Sequence, residues 1–145
     1  MKAIVQRVLS ATLRVDGKEI SAIKKGLVVF LGVGKGDGEK DCEYFIKKLP
    51  ALRIFEDENG KINRSVIDES GEILLVSQFT LFADTSHGNR PSFLDAELPE
   101  RADELYRRVG KGLENSVKVS YGVFGADMKI EQVNDGPFTV IMQSR

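Results

Sequence analysis

Two stretches of the chain carry no polar side chain, residues 27–33 and 73–76. Runs of that length predict strands covered on both faces. Residues 2–9 and 11–15 add strand patterns near the start, and residues 18–23 follow Asp16-Gly17. That dipeptide predicts a two-residue hairpin turn, because both central positions of a type I′ turn take positive φ. The pattern then changes period. Cys42, Phe45, Ile46 and Leu49 recur at helical spacing as one buried stripe, and Pro50 stops the helix. A second helix opens near Pro99, with Ala102, Leu105, Tyr106, Val109 and Leu113 as its buried face and Arg107, Arg108 and Lys111 outside. Residues 53–56 read as a short strand before an Asp57-Glu58-Asn59-Gly60 turn. Residues 117–121, 129–133 and 138–142 read as three further strands, the last two separated by a turn at Asn134-Asp135-Gly136-Pro137. No repeat, linker or low-complexity tract interrupts the chain, so residues 1–145 are expected to form a single domain.

The second apolar run ends abruptly. Ser77, Gln78 and Thr80 follow it at once, and polar groups beside a core cost free energy unless each finds a partner. Pattern alone leaves two readings: a strand leaving the core, or a rigid strand end that presents polar groups to a ligand. Residues 82–93 beyond it are polar and turn-rich, the makeup of a binding loop. Arg7 interrupts an apolar strand and needs acceptors; such an arginine is usually at a strand edge or surface, and only occasionally a buried clamp.

Composition narrows the chemistry. With 21 basic and 22 acidic residues there is no cation excess for a long phosphate track, although one short RNA end remains compatible. Cys42 is alone and cannot form an internal bridge, which fits a reducing compartment. No apolar run approaches a membrane span, and the expectation is a soluble, cytoplasmic protein without membrane attachment. His87 is the only histidine, and no cysteine or carboxylate set stands at zinc spacing, so no metal is expected. His87 beside Ser77 or Thr80 is conceivable as a general base, but its loop reads as solvated. The glycines at 32, 34, 36 and 38 match neither common phosphate-loop template and read as a strand-to-helix connection.

Five segments in order carry a resemblance: Gln6-Arg7-Val8, Ser77-Gln78-Phe79-Thr80-Leu81, Asn89-Arg90-Pro91-Ser92-Phe93, Gly122-x-Phe124-Gly125-Ala126-x-Met128 and Asn134-Asp135-Gly136-Pro137-Phe138-Thr139. Together they resemble the D-aminoacyl-tRNA deacylases over essentially the whole chain. Phe138 departs from the pattern, since a smaller β-branched residue is common there in the family.

The resemblance implies an α/β fold, a compact curved mixed or antiparallel sheet with helices packed on it, working as a two-fold homodimer. It implies hydrolysis of the ester between a D-amino acid, or glycine, and the 3′-terminal adenosine of tRNA, with no cofactor, no membrane and no DNA partner. Ser77, Gln78, Phe79 and Thr80 would be the catalytic stretch. Gly136 and Pro137, locked by Arg7, would form a chiral gate reaching the other subunit's pocket, and Phe124 and Met128 would bind substrate. Thr80 as nucleophile and the tRNA 2′-hydroxyl as the driving group both stay open. So do two other classes, a tRNA-end or nucleotide binding module without turnover and a structural dimeric domain.

Overall fold

The computed structural model describes residues 1–144. Six strands form one sheet, in which the long strand β1 (Lys2–Val15) is paired on both edges. β2 (Lys18–Ile23) and β3 (Gly26–Gly32) share one edge of β1, pairing with residues 11–15 and 2–8 respectively. β8 (Lys129–Gln143) runs antiparallel along the other edge. On the far side of β3 the sheet turns parallel, through β6 (Glu72–Ser77) and then β7 (Lys118–Tyr121). Helices α1 (Glu39–Lys48) and α2 (Pro99–Leu113) supply the second layer, and β4 (Phe55–Glu56) pairs with β5 (Ile62–Arg64) as a small separate ladder. The α/β fold with a mixed sheet is therefore as expected.

The apolar runs behave as their pattern requires. Ile73 and Leu75 of β6 point into a core shared with Phe45 of α1, with Leu49 just after it, and with Leu105, Val109 and Leu113 of α2. Leu74 and Val76 point into a second core on the opposite face. Each such buried side chain is worth about 1.5–3 kcal/mol of transfer free energy. A register shift near Leu9 in β1 moves Ala11 and Leu13 to that second core, whereas Ala3 and Val5 face the helices. One extra residue flips the side-chain alternation, so a single strand serves both faces.

Local chemistry sets the ends of these elements. Asp16 and Gly17 have φ of 50° and 76°, the hairpin geometry expected. Asp41 Oδ2 accepts the Gly38 N–H at 2.9 Å and so caps α1. Arg107 and Arg108 on the outer face of α2 pair with Asp103 and Glu39.

Several expectations are corrected. Residues 2–9 and 11–15 are one strand, since β8 pairs along both parts. Residues 129–133 and 138–142 are likewise one strand, and Asn134 to Pro137 is not a connecting turn. Between the pairs Gln6↔Thr139 and Val8↔Asn134, β1 advances by one intervening residue and β8 by four, so Asp135 to Phe138 bulges from the ladder. The strand expected over 53–56 shortens to Phe55–Glu56. Arg7 is neither surface nor edge: it is 5% exposed, in a strand paired on both sides.

Candidate active site

β6 stops at Ser77, and the chain tightens immediately into a 3₁₀ turn, Phe79–Phe82. Three bonds hold that transition. The carbonyl of Leu75 accepts the Gly122 N–H at 2.9 Å and the Tyr106 hydroxyl at 2.7 Å, tying β6 to α2 and to the segment after β7. One residue beyond Ser77, the Gln78 N–H donates to Leu31 O at 2.9 Å. The polar stretch therefore begins on backbone that is pinned from three directions. Burial pushes the Tyr106 hydroxyl well above the usual phenol range, so it stays a proton donor to that carbonyl.

Ser77, Gln78 and Phe79 open onto a cleft of about 680 Å³. Phe124 and Met128 form part of its wall, as does Ile130 at the start of β8. Phe79 is 55% exposed and meets Phe93 edge-on, ring centroids 5.1 Å apart. Gly122 lets Met128 seat its sulfur, because a β-carbon there would come within 2.7 Å of Met128 Sδ. Gly125, with φ of 76°, turns the chain between Phe124 and Met128.

The backbone donors are unequal. The Gln78 N–H is committed to β3, whereas the Phe79 N–H meets no backbone acceptor among the described residues. Gln78 Nε2 donates to Thr80 Oγ1 at 2.6 Å. No histidine or carboxylate is hydrogen-bonded to Thr80 among the described residues, and Thr80 itself stands outside the cleft lining. His87 bonds to its neighbour Ser86, at 2.7 Å from Oγ, on an exposed loop. Cys42 lies in the helix-side core, and burial raises its thiol pKa. No group of three or more potential metal ligands converges among the described residues.

Arg7, Gly136 and Pro137 are brought together, but away from this cleft. Arg7 Nε donates to Asp135 O at 3.0 Å and lies 3.2 Å from Asp135 Oδ2, while Nη1 donates to Ile54 O at 2.7 Å. Its guanidinium carbon stands 5.1 Å from the Phe138 ring centroid. The Gly136–Pro137 peptide bond is cis, and φ of Gly136 is 130°. The sequence therefore nominated two groups of residues that one chain holds apart.

Sequence reasoning missed the cleft's other wall. Lys35, Leu94, Leu98 and Ala102 line it, from the β3–α1 connection and from the approach to α2. Leu94 and Leu98 were detectable as large apolar residues in an otherwise polar connection, and both are exposed.

A sequence profile of the family described as D-Tyr-tRNA(Tyr) deacylase matches residues 4–143. The D-aminoacyl-tRNA deacylase of Persephonella marina is 54% identical over 145 residues, covering 100% of this chain and 99% of that protein. That of Aquifex aeolicus is 53% identical over 146 residues, with coverage of 100% and 99%. Among solved structures, a c-Myc DNA unwinding element binding protein superposes with a TM-score of 0.94 at 42% identity, covering 100% of this chain and 99% of that one. A probable eukaryotic D-amino acid tRNA deacylase has the same fold, with a TM-score of 0.81 at 17% identity and 97% coverage of both chains. The chain belongs to the D-aminoacyl-tRNA deacylase family.

Proposed function

We propose that this protein hydrolyses the ester bond between a D-amino acid, or glycine, and the 3′-terminal adenosine of tRNA, as quality control for translation in the cytoplasm. The observation that carries the reading is the pinned strand end of Ser77, Gln78 and Phe79 opening onto the apolar cleft. Ester hydrolysis develops charge on the carbonyl oxygen, and a preorganised N–H aimed at that position stabilises it. The Phe79 N–H is the donor we assign, in place of the Gln78 N–H, which β3 already uses. Thr80 lacks a base that would make it a nucleophile. Its hydroxyl instead accepts from Gln78 Nε2 and holds that side chain in place. The 2′-hydroxyl of the terminal ribose then assists the attacking water, and the protein's work is positioning. Phe124 and Met128 contact the bound end of the substrate.

Selectivity rests on a second copy of the chain. Gly136 and Pro137 lie in a bulge of the edge strand β8, and Arg7 anchors that bulge through Asp135 O. In a two-fold dimer the bulge reaches the partner's Ser77-to-Thr80 segment and presents a backbone wall beside the substrate α-carbon. An L-side chain collides with that wall, a D-side chain points away, and glycine passes. Exclusion of this kind needs no contact with the side chain, so many D-residues are accepted. The near-balance of 21 basic and 22 acidic residues gives no cation excess for a DNA duplex, and we assign an RNA end as the partner.

The test is release of free amino acid from matched D- and L-aminoacyl-tRNAs beside an enzyme-free blank. Rapid release from the D-form and glycyl-tRNA, with the L-form at the blank rate, is the expected result. Equal hydrolysis of the two enantiomers would remove the exclusion mechanism. No release from either would leave a binding module.

A further inference from the structure

The bulge of β8 is held from both faces of the sheet. Arg7 grips it from the helix side, where Val5 of the same strand enters the first core and Ile54 O accepts from the guanidinium. Successive side chains of a strand alternate, so Gln6 faces the other way, as Val8 does in entering the second core. There Gln6 meets β8 on either side of the bulge. Its Nε2 donates to Thr139 Oγ1 at 3.3 Å, and its Oε1 accepts from Gln132 Nε2 at 2.8 Å. Gln132 Nε2 donates in addition to Asn134 Oδ1 at 2.7 Å. Asn134 and Thr139 are the positions at which β8 leaves and rejoins its pairing with β1. One side chain thus spans the mouth of the bulge, and Gln132 braces the end from which the chain departs.

Gln132 is poorly suited to a purely architectural task. An amide nitrogen carries two donors, and both are engaged in this clamp. Its Oε1 is buried and meets no donor among the described residues. A buried acceptor left unmet costs stability, so the fold alone would favour an apolar side chain opposite Ala11. What the amide adds is direction. It fixes Gln6 and Asn134 relative to one another, two residues along the strand from Ile130 on the cleft wall.

We propose that Gln6 and Gln132 are specificity-determining positioning residues: the bond between them fixes the angle at which Gly136 and Pro137 leave β8, and so how closely the backbone wall approaches the substrate α-carbon. This rests on the exclusion reading above. Arg7 restrains the bulge at Asp135, and the glutamines restrain its two ends. They act through the backbone and do not touch the ester.

The experiment measures kcat/KM on D-tyrosyl-, L-tyrosyl- and glycyl-tRNA for parent, Gln132→Leu, Gln6→Leu, Gln6→Glu and Thr139→Val, with urea midpoints alongside. The L-form is assayed at high enzyme concentration against the enzyme-free blank. Each leucine variant is expected to lift kcat/KM on the L-form about 5-fold above the parent's residual value, the scale of one net hydrogen bond. The D-form and glycyl values should hold, because neither substrate meets the wall. Gln6→Glu keeps an acceptor for Gln132 Nε2, and Thr139→Val removes only the longer bond, so both should stay as strict as the parent. The midpoint of Gln132→Leu should hold too, since the unmet acceptor leaves together with the two bonds. An unchanged L-form rate in both leucine variants of a strict parent would overturn the clamp and leave exclusion standing. So would a fall on all three substrates with a lowered midpoint, which is the mark of a scaffold. Gln6→Glu as permissive as Gln6→Leu would overturn the role of the Gln132–Gln6 bond. A parent that hydrolyses both enantiomers alike would overturn the exclusion reading and the clamp with it.

Discussion

Arg7 divides its contacts between two backbone carbonyls and the Asp135 carboxylate. Its guanidinium satisfies the carbonyls of Ile54 and Asp135, so it fastens the β8 bulge to the chain just before β4. Replacing it with methionine keeps the stem and leaves both carbonyls without their donor. We expect Arg7→Met to lower unfolding free energy by about 2–3 kcal/mol, read by urea titration. If the bulge is the chiral gate, the variant should also hydrolyse L-aminoacyl-tRNA faster than the parent does. Cys42 and His87 are the contrasting residues. One is a buried thiol whose pKa is raised, first by desolvation, and the other is a loop side chain bonded to Ser86 and to no other side chain among the described residues. Cys42→Ser and His87→Ala should keep kcat within a few-fold once folding is controlled for. A hundred-fold loss in folded His87→Ala would restore a general base.

At the scale of elements, β6 governs the site because both its faces and both its edges are used. Its first pair, Gly26↔Glu72, leaves no room for a side chain: a β-carbon on Gly26 would lie 1.9 Å from Glu72 O. Gly26→Ala should therefore cost at least about 2 kcal/mol and loosen the β3–β6 ladder on which Gln78 depends. Hydrogen exchange at Gln78 N–H would report that loosening directly. Glu72 also ties this ladder to its neighbours. A hydrogen bond from Lys118, followed by that from the Lys24 N–H, holds its carboxyl below the usual glutamate range. A depressed folded-state pKa stabilises above the unfolded value, and the gain is lost as pH falls through the folded one. Glu72→Gln should thus be less stable than the parent by roughly 1 kcal/mol at neutral pH. The two should converge in acid, and denaturation midpoints across pH would check it.

For the whole molecule the unfinished feature is β8. Its inner edge pairs with β1 along most of its length, while its outer edge is unpaired among the described residues. Val133 and Ile141 on it are 54% and 76% exposed. A long apolar edge is a template for another chain, and closed two-fold pairing is the commonest way to cover it. Light scattering at micromolar concentration should give twice 16.1 kDa. Ile141→Lys should shift that mass toward the monomer, and if the proposed gate acts across a dimer it should depress deacylation in parallel.

What the chain order settles on its own is what short-range chemistry controls. The apolar runs at 27–33 and 73–76 read as strands covered twice, the helical stripes as faces turned to a core, and Asp16-Gly17 as a turn, and the structure has all three. The polar break at Ser77 was equally legible, because an abrupt end to a buried run marks a change of environment. Tertiary structure decided the rest. Asn134 to Pro137 looks like a turn by composition, yet pairing with β1 on both sides of it carries the strand through as a bulge. Arg7 looks like a surface cation until the fold surrounds it with carbonyls. Lys35, Leu94 and Leu98 share a cleft with Phe79 only because the fold brings the β3–α1 connection and the approach to α2 to the end of β6, a long-range arrangement that local pattern does not encode.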